Sequence, residues 1–216
     1  MMDNAMFNQP NLPVFLVAAL ILLITPGPAV LYIIARSLDQ GRVAGLVSVA
    51  GLSAGTWVHA FGAALGVSAI LVSSALAFSV VKYLGAAYLI YLGLRRLMSR
   101  NEIRETTHFQ PQRLRRIFSQ GIVVAILNPK SAMFFFAFLP QFVDPAHGSV
   151  TLQLLTLGFI YIAMALITDG AYALLAGTFG GWLKGRRSFL RGERYVVGST
   201  YIGLGVVAAF ADFKNK

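Results

Sequence analysis

The chain contains no cysteine and only eight Asp and Glu residues among 216. Without cysteine there is no disulfide, no thiol chemistry and no thiolate metal site. Charge of either sign is scarce. Charged residues make up 12% of the chain against 57% hydrophobic ones, and the mean hydropathy is +0.70. That balance excludes a soluble domain. Long polar sequence is lacking too: the longest polar stretch, residues 99–119, is too short for a domain of its own. Residues 1–13 hold no Lys or Arg, and the apolar run that follows is longer than an h-region. A cleaved signal peptide is therefore not expected.

Long apolar runs are what the chain has. A membrane-crossing helix needs about 20 consecutive apolar residues. Six stretches qualify as candidates: 12–36, 43–74, 78–97, 121–142, 152–183 and 195–211. The runs are continuous, where barrel strands alternate over about 10 residues. The sequence thus predicts an all-α integral membrane protein, residues 1–216 forming a single transmembrane domain.

Lys and Arg are distributed unevenly. The first inter-helix loop with its flanks carries Arg36 and Arg42. The third carries Arg95, Arg96, Arg100, Arg104, Arg113, Arg115 and Arg116, and the fifth Lys184, Arg186, Arg187, Arg191 and Arg194. The second and fourth loops carry none. Alternate basic loops follow the positive-inside rule, which places them in the cytoplasm and both termini outside. Basic loops suit anionic lipid headgroups. Nucleic-acid binding by residues 110–116 is not expected.

Two of the runs are broken by proline. Thr25-Pro26-Gly27-Pro28 interrupts the first, and Asn128-Pro129-Lys130-Ser131 interrupts the fourth, 103 residues later. Thr25 and Asn128 are good N-cap residues, each followed by Pro. Each motif reads as one half-helix ending and another beginning. Free backbone groups are costly in lipid, so such breaks persist only inside protein or beside a water-filled cavity. Paired breaks in two half-chains point to a transporter binding site. Six helices divide into halves of three, 12–97 and 121–211. An odd number per half inverts the second. Weak echoes support a repeat: Gly85-Ala86-Ala87-Tyr88 resembles Gly198-Ser199-Thr200-Tyr201, and His59 and Asp169 lie at similar depth in helices two and five. The expectation is two inverted three-helix repeats, with helices one and four broken. Half-helix N-termini carry unpaired N–H groups and partial positive charge, which suits a substrate carboxylate.

Ionisable residues at membrane depth default to functional hypotheses. Three qualify: His59, Lys130 and Asp169. Lys130 and Asp169 read either as an ion pair joining helices four and five, or as a carboxylate partner and a proton- or ammonium-binding group. A carboxyl in low dielectric resists ionisation, which suits proton exchange. His59 reads as a packing residue or a substrate ligand. Tyr32, Tyr88, Tyr161, Tyr172 and Tyr201 could line a polar path, although each alone reads first as a packing or interface residue, and Met133-Phe134-Phe135-Phe136 reads as lipid-facing or packed bulk. Gly51-x-x-x-Gly55 and Gly62-x-x-x-Gly66 are small-residue faces for close helix contact, compatible with a homodimer.

These residues resemble the lysine exporter (LysE/RhtB) family of bacterial amino-acid exporters over nearly the whole chain. The resemblance is carried by Leu23-Ile24-Thr25-Pro26-Gly27-Pro28, by Gly41-x-x-x-Gly45 and by Lys82-Tyr83-Leu84-Gly85-Ala86-Ala87-Tyr88-Leu89-Ile90-Tyr91-Leu92-Gly93. Leu127-Asn128-Pro129-Lys130 completes it. It implies export of amino acids or close derivatives across the bacterial inner membrane, driven by the proton gradient. Carried onto this chain, its motif positions are Pro26, Gly27, Pro28, Asn128, Pro129 and Lys130. The expected function is a secondary exporter of threonine, homoserine or neutral aliphatic amino acids, with no cofactor. A divalent-cation exporter is the alternative, although hard cations want several oxygen ligands. An intramembrane enzyme is a weaker one, since no catalytic constellation lies at membrane depth.

Overall fold

The computed structural model describes residues 12–67 and 112–183, with isolated helical positions between 80 and 98 and at 202 and 206. The expected sixth span, most of the third and the Gly85/Gly198 echo lie outside the described residues. Among the described residues all regular structure is helical. The first helix, α1 (Leu12–Ile24), is apolar throughout. It stops because Pro26 has no N–H and disfavours helical backbone at the residue before it. Thr25 finishes α1: its backbone N–H reaches the carbonyls of Ile21 and Leu22, and its hydroxyl donates to the Ile21 carbonyl at 2.7 Å. The sequence expectation that Thr25 caps the following helix is thus corrected. Gly27, in extended backbone, is the N-cap of α2 (Pro28–Gly62), and Pro28 takes the first helical position.

Helix α2 is two arms. Gly41 breaks it with φ 82° and ψ −177°, backbone that favours glycine. A straight helix would separate Val30 from Thr56 by about 39 Å, yet both line one cavity. The chain therefore doubles back at Gly41, and the loop expected between the first two spans is a one-residue corner. A π-helical turn, Ala63–Val67, ends the described part of the second arm.

Helix α3 (Leu114–Ile126) begins earlier than the expected 121, inside the stretch taken as polar loop. Its buried face, Ile117, Gly121 and Ala125, follows the helical repeat and packs on α2. The approach is backbone to backbone. A methyl at Gly51 would run into the Phe118 carbonyl, and one at Gly55 would lie 2.6 Å from the Ile122 carbonyl. The Gly51/Gly55 face is thus an internal packing face. Of the second small-residue pair, Gly62 lies against Phe136, while Gly66 has open space.

After Leu127 and Asn128 the chain restarts as α4 (Pro129–Met133), continued by a π turn (Phe134–Phe138) and a 3-10 turn (Leu139–Phe142). The bend from α3 into this segment is 47°. Each break follows a helical segment, α1 and α3. Phe134, Phe135 and Phe138 are buried with Phe15, Phe142 and Tyr161, so this phenylalanine run is packed bulk. Helix α5 (Val150–Leu183) runs along α1 and both arms of α2. By length and composition Pro28–Gly66, which Gly41 folds into two arms, and Val150–Phe179 pass as membrane-crossing, and the bent segment Leu114–Ile126 with Pro129–Phe142 passes the same test as one unit. The molecule is an integral membrane protein.

Candidate functional site

The second break is built as its sequence predicts. The Asn128 side chain accepts from the Lys130 N–H at 3.1 Å, Pro129 stands at the first helical position, and Asn128 Nδ2 donates to Ser131 Oγ at 3.2 Å. Lys130 is only 6% exposed. Its ammonium donates to the Thr25 carbonyl at 2.5 Å, across 105 residues of sequence. The two breaks are therefore neighbours. The adjoining carbonyl, Ile24, accepts from the Tyr172 hydroxyl at 2.7 Å. Carbonyls at the end of α1 that have no helical donor are thus met by side chains from α4 and α5.

Around this junction lies a cavity of about 40 Å³. At about 10–15 Å³ per water it holds roughly three waters, and it is too small for an amino acid. Its walls are Gly27, Ala29 and Val30 from the start of α2, and Asn128, Lys130 and Ser131 from the second break. Leu52, Ser53 and Thr56 come from the second arm, and Tyr161, Ala165 and Asp169 from α5. Asp169 and Lys130 face the same space, but the ammonium is bonded to Thr25 rather than to the carboxylate.

The structure brings most of the expected site residues together. Gly27, Asn128, Lys130 and Asp169 line the cavity, and Thr25 joins through its carbonyl. The prolines shape the breaks without lining it: Pro26 is half-buried, and Pro28 and Pro129 are exposed. His59 lies elsewhere. It is buried between α2 and α3, donates from Nε2 to the Ala125 carbonyl at 3.0 Å and stacks beside Phe135. Ser53 and Thr56 were not singled out by sequence, and Ser131 was named only as part of the second break. The signal for the first two was their spacing of three in an apolar helix, which places both on one face.

Arg36 needs a second correction. Expected as a loop charge, it is fully buried. Its guanidinium donates to the side-chain oxygens of Gln40, Gln112 and Gln120 at 3.3, 3.1 and 2.8 Å and lies 5.6 Å from the centre of the Tyr32 ring. Gln40 also bonds both backbone groups of Gln112, and Tyr32 donates to the Ile117 carbonyl at 2.9 Å. The face Tyr32–Arg36–Gln40 recurs every four residues, so it was visible in the sequence.

The profile of the LysE type translocator family matches residues 20–211. The chain belongs to that family. Two homoserine/homoserine lactone efflux proteins, from Salmonella typhimurium and Salmonella typhi, are each 31% identical over 197 residues, covering 91% of this chain and 95% of theirs. An uncharacterized membrane protein of Vibrio cholerae is 29% identical over the same coverage. No solved structure matches. Both breaks of this translocator lie within the matched region.

Proposed function

We propose that this translocator is a secondary exporter of small amino acids or close derivatives, with homoserine, threonine and neutral aliphatic amino acids as candidates. It moves them out across the bacterial inner membrane in exchange for protons. The observation that carries the reading is the convergence of both proline breaks and the Asp169 carboxyl on one cavity. The start of α2 offers N–H groups without helical acceptors, which suit a carboxylate. Asp169 is the proton-exchanging group. Efflux by the Salmonella relatives supports the substrate class. The cavity as it stands excludes an amino acid, so transport requires the helices around it to part, with access alternating between the two sides.

In this reading the chain completes six helices as two inverted repeats, and a proline break in each half supports that symmetry. The basic loops lie in the cytoplasm and both termini outside. A single cysteine at Ser149 is then labelled from outside in intact cells; labelling only after permeabilisation reverses the orientation. The decisive test of function is purified protein in liposomes. An imposed pH gradient is expected to drive labelled L-homoserine or L-threonine and to move no divalent cation. Cation movement without amino-acid movement selects the metal-exporter alternative.

A further inference from the structure

The bond between Lys130 and Thr25 has chemistry of its own. A broken helix ends in carbonyls without helical donors and with partial negative charge. Here that end already holds a cation, the buried Lys130 ammonium on the Thr25 carbonyl. A primary ammonium is also the group that an α-amino acid carries. Lys130 reaches this place from the other break on a flexible four-carbon stem. Asp169 lines the same cavity and is not bonded to Lys130.

We propose that the Thr25 carbonyl at the end of α1 is the ammonium subsite of the transporter, and that Lys130 is its tethered occupant while the carrier is empty. The inference rests on the export reading and deepens it: the ligand is a primary amine, and it enters by displacing Lys130. In the exchange the Lys130 N–H···O=C bond to Thr25 breaks and a substrate N–H···O=C bond forms in its place. The released ammonium turns to Asp169. Asp169, carrying a proton in the empty carrier, gives it to water and pairs with Lys130 as a carboxylate. One zwitterion enters and one proton leaves, so charge and atoms balance. Among the described residues the other titratable groups at hand are Tyr161, in the cavity wall, and Tyr172, on the Ile24 carbonyl.

The test is thermal unfolding of the purified full chain with ethylammonium, tetramethylammonium and L-homoserine. Lys130→Met keeps the apolar stem and removes the ammonium from the Thr25 carbonyl. It is expected to gain roughly 3 °C or more with ethylammonium. Wild type at the same concentration gains nothing, and tetramethylammonium, which has no N–H, stabilises neither. L-homoserine is expected to bind Lys130→Met about tenfold more tightly, because the resident competitor is gone. The opposite pattern, no response to ethylammonium and weaker homoserine binding, makes Lys130 a direct carboxylate ligand and overturns the proposal. If the variant does not fold by itself, its membranes are solubilised with ethylammonium or tetramethylammonium. Recovery of folded protein with ethylammonium alone supports the subsite, and equal failure with both overturns it. If ethylammonium stabilises Lys130→Met but no amino acid protects wild type, the subsite stands and the export reading fails.

Discussion

Lys130 and Arg36 are both cations buried among helices, and their surroundings differ in kind. Arg36 is held by glutamine side chains from α2, α3 and the residue pair before α3, with a tyrosine ring beside it. Its planar head meets several acceptors at once, and moving it means breaking them together. Lys130 makes one short bond, to a backbone carbonyl, and faces a cavity with room for water. A single bond to a flexible ammonium can be exchanged for another. One region has the construction of a fixed joint between the first arm of α2 and the start of α3; the other has that of a site whose contents change.

The largest expected effect falls on the exchanging region. Asp169→Asn should reduce pH-driven export by orders of magnitude while the unfolding midpoint stays near that of wild type. Transport in liposomes beside a melting curve checks both. Normal gradient-driven export by the well-folded variant would remove Asp169 from the mechanism.

Next is the break itself. Gly and Pro in helix interiors cost about 1 and 3 kcal/mol relative to Ala. Combining Pro26→Ala, Gly27→Ala and Pro28→Leu should therefore favour continuous helix from α1 into α2. The expected protein is at least as helical as wild type, exports nothing and gains no thermal protection from L-homoserine. Full protection would show that the first break is not where the substrate carboxylate sits.

The fixed joint should respond in stability instead. Arg36→Met leaves three half-buried glutamine acceptors without their donor, a loss of about 2 kcal/mol in stability. Denaturant or thermal unfolding in detergent measures it. If Arg36→Met melts no lower than Lys130→Met, the contrast between the two cations fails. The smallest effect is expected from Tyr172→Phe, which removes the hydrogen bond to the Ile24 carbonyl at a cost of about 1 kcal/mol. Its midpoint should fall slightly and export should persist.

How much of this was legible in the sequence differs from residue to residue. Asn128-Pro129 could be read directly, because a cap bond and a proline at the first helical position are local events within three residues. Thr25-Pro26 could be read as a break but not as a cap: its hydroxyl had two local choices, forward to α2 or back to α1, and Gly27 filled the forward one. Arg36 was misplaced because a charge near a span end is ordinarily solvated, and only the return of α3 alongside α2 encloses it. His59 was open between packing and binding, and the Ala125 carbonyl settled its surroundings.

The sequence by itself determined the membrane environment, the helical class, the two breaks and the scarce charged groups that could act there. Each follows from composition or from backbone chemistry within a turn or two of the residue concerned. The tertiary structure alone decided that Gly41 folds one long helix into two arms, that Lys130 spans to Thr25, and that Asp169 shares their cavity. These depend on which helix faces meet. Glycines at 51, 55 and 121 let α2 and α3 approach at backbone distance. The local sequence marks such a face, as Gly51-x-x-x-Gly55 does, but not the helix that packs against it.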